Sequence, residues 1–242
     1  MDDNKPFPVA DPEVERIRGV YARYDADPST RAKWDPRNRA NALMREEFNS
    51  GVLAILAHAG LRVSEVRILD VGCGSGALLH WLVQSGAQRH LLYGVDLRED
   101  QIELARANGP GINLLCADAR RLSFAEHFFD VIICNNVFGS ILDRAVADAV
   151  ATEVRRVVKP RGLIVWCESR YRNLWNPNVR GYTSREIRRC FPGCRIELRS
   201  ITVLPPLARR LGRLTPTLYP MFARIPFLRV RYLGTIRPES PS

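Results

Sequence analysis

No apolar run in this chain approaches the roughly 18 residues that a membrane-spanning helix requires, so no such helix is expected. The start, Met1-Asp2-Asp3-Asn4-Lys5-Pro6, is acidic and polar and lacks the apolar stretch of a secretory leader. That points to a cytoplasmic protein. Histidine is scarce: the four residues at 58, 80, 90 and 127 show no ligand spacing, and no metal site is expected. The six cysteines are scattered, and most fall in or beside apolar runs, so buried thiols are expected. Cys190 and Cys194 form the one close pair, with no histidine beside them to suggest a metal. There is no internal repeat and no low-complexity tract. Acids are few in the second half. From Ala151 onward nineteen Arg and Lys face five Asp and Glu, against seventeen and twenty-one before it. A basic half suits an anionic partner, such as a phosphorylated small molecule, a lipid head group or nucleic acid. An arginine-rich solvated face would look the same.

What is present is a chain of 242 residues, 46% apolar, enough for one α/β domain with a decorated end. Asp11-Pro12 reads as an N-cap with proline at the first helical position, opening an amphipathic helix to about Tyr24. Asp27-Pro28-Ser29 breaks it, a loop runs through Lys33-Trp34-Asp35-Pro36-Arg37, and Asn38 caps a second helix ending near Gly60. From Val66 strands and helices alternate, the pattern of a parallel sheet covered on both faces. The expected strands are 67–71, 91–96, 112–116, 129–134 and 163–167, with Lys159-Pro160-Arg161-Gly162 as a turn before the fifth. Two antiparallel strands, 195–204 and 228–236, should follow.

The densest signal is Ile68-Leu69-Asp70-Val71-Gly72-Cys73-Gly74-Ser75-Gly76, an apolar strand ending in an acid and alternating glycines, followed by a helical pattern from Ala77. Such a turn brings backbone close to a nucleotide-like ligand. Gly72, Gly74 and Ala77 would also satisfy a dinucleotide fingerprint. Asp70 discriminates, because an acid is poorly placed beside a pyrophosphate and well placed beside a cation. Asp96 ends the second strand at the spacing where an acid meets ribose hydroxyls, the reading favoured here over a cap on the helix after Leu97. Asp118 ends the third. Three acids at the carboxyl ends of successive strands line one crevice.

The glycine stretch resembles motif I of the class I S-adenosylmethionine-dependent methyltransferases, and the resemblance covers roughly residues 66–203. It implies a Rossmann-like, doubly wound, mostly parallel seven-stranded sheet with its last strand antiparallel. A helical cap (1–62) would precede the cofactor-binding domain (63–242). It implies S-adenosyl-L-methionine as cofactor, with S-adenosyl-L-homocysteine as product. The implied cofactor set is Asp70, Gly72, Cys73, Gly74 and Gly76 in the turn, Asp96 with Leu97, Asp118 and Ala119 at the adenine, and Asn135 after strand four. Tyr24 and Arg39 (Tyr21 being an alternative) are implied to close over the cofactor carboxylate from the helical cap. Phe138 is expected to bound the acceptor pocket, and the polar loop after strand five to contact the acceptor through Arg170, Tyr171 and Arg180. The loop after strand four lacks the Asn/Asp-Pro-Pro-aromatic sequence of DNA amino-methyltransferases and has no Pro-Cys nucleophile.

The expected function is methyl transfer to an O or N atom of a small-molecule or glycan-type acceptor, and the basic half suits an anionic one. No appended RNA-binding motif is present, which argues against nucleic acid. The alternatives are an RNA methyltransferase and a non-catalytic cofactor-binding subunit. No general base is identifiable, and the oligomeric state is open. Class I sheets usually join their last two strands by a short hairpin. Here residues 205–227 intervene, with Leu207, Leu211 and Leu214 on one helical face and Leu218, Met221, Phe222 and Ile225 on another. Two short helices are expected. They could extend the core, wall the acceptor pocket, join a second copy or make a peripheral membrane contact.

Overall fold

The computed structural model describes residues 11–173 and 176–239. Three helices come first: α1 (Pro12–Ala26), α2 (Pro28–Lys33) and α3 (Arg39–His58). Then β1 (Ile68–Val71), α4 (Ala77–Gln84), β2 (Leu92–Asp96), α5 (Glu99–Asn108) and β3 (Asn113–Cys116) alternate. They lead into β4 (Phe129–Asn135), α6 (Arg144–Val157), β5 (Val158–Ser169) and α7 (Ser184–Cys190). The chain ends with β6 (Cys194–Val203), α8 (Pro205–Arg210), α9 (Thr215–Phe222) and β7 (Arg229–Pro238). The sheet runs β3-β2-β1-β4-β5-β7-β6. Strands β1 to β5 are parallel, and β7 is antiparallel to both β5 and β6. Strand order reverses at β1, so the crevice for a ligand opens between the carboxyl ends of β1 and β4.

Local chemistry explains the helix starts. The side chains of Asp11, Asp27, Asn38 and Asp143 each accept from backbone N–H groups of the following turn, contributing about 1 kcal/mol apiece. Asp27 therefore does more than end α1. It caps a six-residue helix where the sequence suggested only a break. The segment Lys159–Gly162, expected as a turn, is a bulge within β5. Phe129 pairs with Val158 and Val131 with Leu163, and Lys159 Nζ meets Asp130 at 2.6 Å.

The sheet is buried on both faces. On one, α6 lays down Ala147, Val150, Ala151, Val154 and Val157 at helical spacing, with α7 and Ile17 of α1 beside it. On the other, Phe48, Val52 and Leu56 of α3 pack with α4 and α5 over Ile68, Ile133 and Val165. The N-terminal helices thus share the sheet's own cores. The insert between β6 and β7 packs too: Ala208 and Tyr219 join Ala40 and Met44 of α3 and Val203. The Tyr219 hydroxyl accepts from the Val203 N–H at 3.3 Å and donates to Glu47 at 2.9 Å. Tyr219→Phe is expected to cost about 1–2 kcal/mol by leaving that buried N–H unpaired, read as a lower urea midpoint. Among the described residues no helix is long and apolar enough to cross a membrane.

Candidate cofactor crevice

The turn after β1 folds as the glycines dictate. Gly72, Gly74 and Gly76 all sit at positive φ (70°, 50° and 77°), where a Cβ is strained. At Gly76 a Cβ would also lie 3.1 Å from that of Ala105. The N–H groups of Gly72 and Cys73 donate to the Val95 carbonyl at 2.8 and 3.0 Å, fixing the turn to β2. Cys73 turns its side chain into the core, against Gly94, so only its backbone faces the crevice.

Asp70 is 4% exposed. No hydrogen bond among the described residues reaches its carboxyl. Burial, with Asp96 nearby, pushes its pKa up to about 8. Asp96 is better supplied: Oδ2 accepts from the Gly74 N–H at 2.8 Å and Oδ1 from the Arg98 N–H at 3.0 Å. Burial still raises its pKa, against those two bonds. Both readings of Asp96 meet here, since it anchors the glycine turn and the entry to α5 together. Asp118 is occupied. It accepts from the Arg120 backbone at 2.9 Å and from the Arg120 guanidinium at 2.9 and 2.6 Å, and the same guanidinium pairs with Asp11. Ala119 lies beside it, packed on the core.

Helix α1 straps these strand ends. Besides the Asp11–Arg120 pair, Arg18 Nε donates to the Leu97 carbonyl at 3.2 Å and Asp25 pairs with Arg98 at 2.6 Å. The Tyr21 hydroxyl meets Ser140 Oγ at 2.7 Å. A cleft of about 490 Å³ lies between α1 and the β2 end, lined by Arg18, Ala22, Leu97 and Cys116 among others. Tyr24 donates to Asn176 Oδ1 at 2.9 Å. Arg39 differs from expectation: it is exposed on the first turn of α3 and makes no polar contact with the crevice among the described residues. Besides Arg18, α1 brings Arg16 to the turn after β4. Arg16 forks onto Glu13 at 2.7 and 2.8 Å and donates to the Ser140 carbonyl at 2.5 Å, while its Nη1 is buried without a partner.

The expected acceptor contacts fare differently. Phe138 is fully buried against Trp166 (centroids 4.7 Å apart), Tyr182 and Phe191. It is a core residue, because the 3-10 turn Phe138–Ser140 folds its ring under the sheet end. Arg170 donates to the carbonyls of Pro226 and Arg229 and lies over the rings of Tyr171 and Tyr232. Arg180 pairs with Glu186 at 2.6 Å and covers Tyr182. Both arginines make contacts within the fold, while Arg170 Nε is buried without a partner among the described residues. Tyr171 is exposed. Leu174 and Trp175 of the same loop lie outside the described residues.

Two residues that sequence reasoning missed organise this end of the sheet. Arg231 of β7 donates to Asn135 Oδ1 (2.6 Å), Asn136 Oδ1 (2.9 Å) and the Cys167 carbonyl (2.9 Å). Asn136 is held at a φ of 60°. Glu168, 1% exposed at the end of β5, accepts from the Phe138 N–H at 2.8 Å and is also bonded by those of Val137 and Gly139. Burial raises its pKa to about 7, opposed by Arg231 and the N–H groups. A Cβ on Gly139 would stand 2.8 Å from Glu168 Oε2. The signal for Glu168 was an acid closing an apolar strand, as at Asp70. Arg231 had none, since its partners are distant in sequence.

Residues 68–162 match the sequence model of a methyltransferase domain. The chain is 34% identical over 113 residues to the ubiquinone biosynthesis O-methyltransferase of Neisseria meningitidis serogroup C, covering 44% of each. It is 27% identical to the ubiquinone/menaquinone biosynthesis C-methyltransferase of Burkholderia vietnamiensis, over 65% of this chain and 58% of that one. The chain thus spans about half the length of the curated relatives it matches. The N-methyltransferase NodS of Bradyrhizobium japonicum, solved with S-adenosyl-L-homocysteine, shares the fold. Its TM-score is 0.66 at 16% identity, with 93% of this chain and all of that one covered. Residues 68–162 thus match a methyltransferase domain, and the glycine motif and the seven-stranded topology shared with NodS agree with that match.

Proposed function

We propose that the protein moves a methyl group from S-adenosyl-L-methionine to an O or N atom of a small-molecule acceptor. The observation that carries this is Asp70, a nearly buried carboxyl at the switch point with no hydrogen-bond partner among the described residues. Buried acids are ordinarily paired, and this one fits a cationic amino group. The backbone of Gly72, Cys73, Gly74 and Gly76 leaves room beside it. Asp96 offers its remaining lone pairs to ribose hydroxyls while it holds the turn. Asp118, stiffened by Arg120, offers an acceptor at the adenine beside Ala119, and Leu97 covers the same edge.

Bound there, the cofactor supplies a methyl group already activated on sulfonium sulfur. The protein's task is then to hold the acceptor in line and exclude water. Arg231 and Glu168 do the holding indirectly, by fixing Asn135 and the 136–140 turn beside the methyl position. The names of the curated relatives support a small-molecule acceptor, and a glycan remains within that class. The test is label transfer from methyl-tritiated cofactor to a panel of phenols, amines, glycans and RNA, with calorimetry of S-adenosyl-L-homocysteine. Label on RNA alone would turn the reading to an RNA methyltransferase. Binding without turnover on any acceptor would support a cofactor-binding subunit. Tighter binding of NADH than of S-adenosyl-L-homocysteine would sink it.

Arg16 replaces Arg39 as the residue proposed to meet the cofactor carboxylate, since its Nη1 is buried and unpartnered. Arg16→Ala is expected to weaken S-adenosyl-L-homocysteine about tenfold, as a lost charge-assisted bond does. Arg39→Ala should leave it unchanged. The reverse pattern would return the role to α3.

A further inference from the structure

The insert has a buried side and an open one. Thr215 and Tyr219 of α9 face α3. Away from that side, Leu214 at the N-cap of α9 and Met221 within it lie seven residues apart and are 61% and 58% exposed. Phe227, in the 3-10 turn that leads into β7, is 72% exposed. Trp34, 64% exposed, is tied to the insert by Arg209, whose guanidinium lies 4.4 Å over its ring. With Leu204 at the entry to α8, these are five of the nine large apolar side chains exposed among the described residues. The charge is as one-sided. Between Glu197 and Glu239 there are eight arginines and no acid. Arg210, Arg213 and Arg224 are exposed and form no ion pair among the described residues. The base of the insert adjoins the crevice: Leu204 N–H donates to the Leu228 carbonyl, and β7 then carries Arg231 to Asn135.

Scattered apolar side chains need no explanation, but a cluster ringed by unpaired cations does. A second copy on this face would set arginine against arginine, because a two-fold contact repeats the same patch. Nucleic acid would use the arginines and leave the leucine, methionine and phenylalanine wet. Short helices with an apolar edge and flanking arginines match the interface of a bilayer with anionic head groups. We propose that this face docks the protein on an anionic lipid membrane, with Leu214, Met221 and Phe227 entering the head-group boundary and Arg210, Arg213 and Arg224 on the phosphates. Docking would turn the crevice mouth toward acceptors dissolved in the bilayer. That consequence rests on the methyltransferase reading; the docking does not.

The full chain is sedimented with vesicles of phosphatidylcholine alone or mixed three to one with phosphatidylglycerol. It should pellet with the mixed vesicles only, less so as salt rises. Met221→Ser/Phe227→Ser and Arg210→Gln/Arg213→Gln should each lower the partition coefficient at least tenfold, a loss of about 1.4 kcal/mol. These positions are solvent-exposed, and unchanged circular dichroism and S-adenosyl-L-homocysteine binding would show an intact fold. A chain that stays in the supernatant with both vesicles overturns the proposal. So does binding that the serine pair leaves untouched, which would mark a purely electrostatic surface of the nucleic-acid kind. So does a dimer in sedimentation equilibrium that the serine pair dissociates. Loss of cofactor binding in the unaltered chain would refute the methyltransferase reading and leave the vesicle result standing.

Discussion

Asp70→Asn should make the ligand-free protein more stable at pH 8 and bind S-adenosyl-L-methionine ten- to a hundredfold more weakly. The two effects share one cause. Folding buries the Asp70 carboxyl with no hydrogen-bond partner among the described residues, and burial raises its pKa from 3.8 to about 8. Below pH 4 the group is protonated in both states and costs nothing. As pH rises, the unfolded chain ionises first, so stability falls steadily until the folded pKa near 8 is passed. The loss is on the order of 5 kcal/mol at most, from 1.36 kcal/mol per pKa unit. Asparagine cannot ionise, so its stability curve should be flatter from pH 4 to 8. Binding a cationic amino group reverses the preference and draws the proton off. Calorimetry at pH 6–7 should therefore show a binding enthalpy that varies with buffer ionisation enthalpy, corresponding to about one proton released. Asp70→Asn should abolish that dependence and lose the charge-assisted contact, ~1.5–3 kcal/mol. Undiminished affinity in the variant would remove Asp70 from the site.

Glu168→Leu is expected to lower the melting temperature by about 10 °C and abolish turnover. The carboxylate accepts N–H groups of the 137–139 turn in a fully buried place. Leucine leaves them unpaired, at ~1–3 kcal/mol each, and a kilocalorie shifts a domain of this size by ~2–4 °C. The turn beside Asn135 then loses its anchor. Glu168→Gln separates charge from shape. Glu168 has its folded pKa raised to about 7, so it favours folding most below the unfolded value near 4.5, and that share is lost as pH rises through 7. The glutamine variant should lack this slope and keep part of the turn's bonding. Thermal melts from pH 4 to 8 would read both. A leucine variant as stable and active as the parent would show that the turn holds itself.

The proposed methyl transfer gains little from a dedicated acid or base when the donor is already activated, and the construction of this end of the sheet is consistent with that proposal. Its ionisable groups are spent on position. Asp118 and Arg120 fasten α1, Arg231 fixes two asparagines, and Glu168 carries a turn. The strap made by α1 spans the ends of β2, β3 and β4 through several polar contacts, two of them at the β2 end and two at Ser140.

The glycine turn, the order of strands, the helix caps at Asp11 and Asn38, and the acids closing β1, β2 and β3 were all legible in the sequence. Each is set by neighbours a few residues away: a positive φ, a side chain bonding the next turn, an apolar run ending in a charge. The helical character of the insert was legible for the same reason. The partners of Phe138, Arg170 and Arg180 were not, because their surroundings come from segments far along the chain. Phe138 meets Trp166 and Phe191, and Arg170 meets carbonyls of the last connection. A polar loop of arginines and tyrosines reads alike whether its charges face an acceptor or tie down the sheet. Only the packing of β7 beside β5, which brings Tyr232 to the loop, shows the contacts that Arg170 makes within the fold. The choice of Arg16 over Arg39 was tertiary too. Both sit near helix starts, and what separates them is that α1 crosses the crevice while the first turn of α3 leaves Arg39 in solvent.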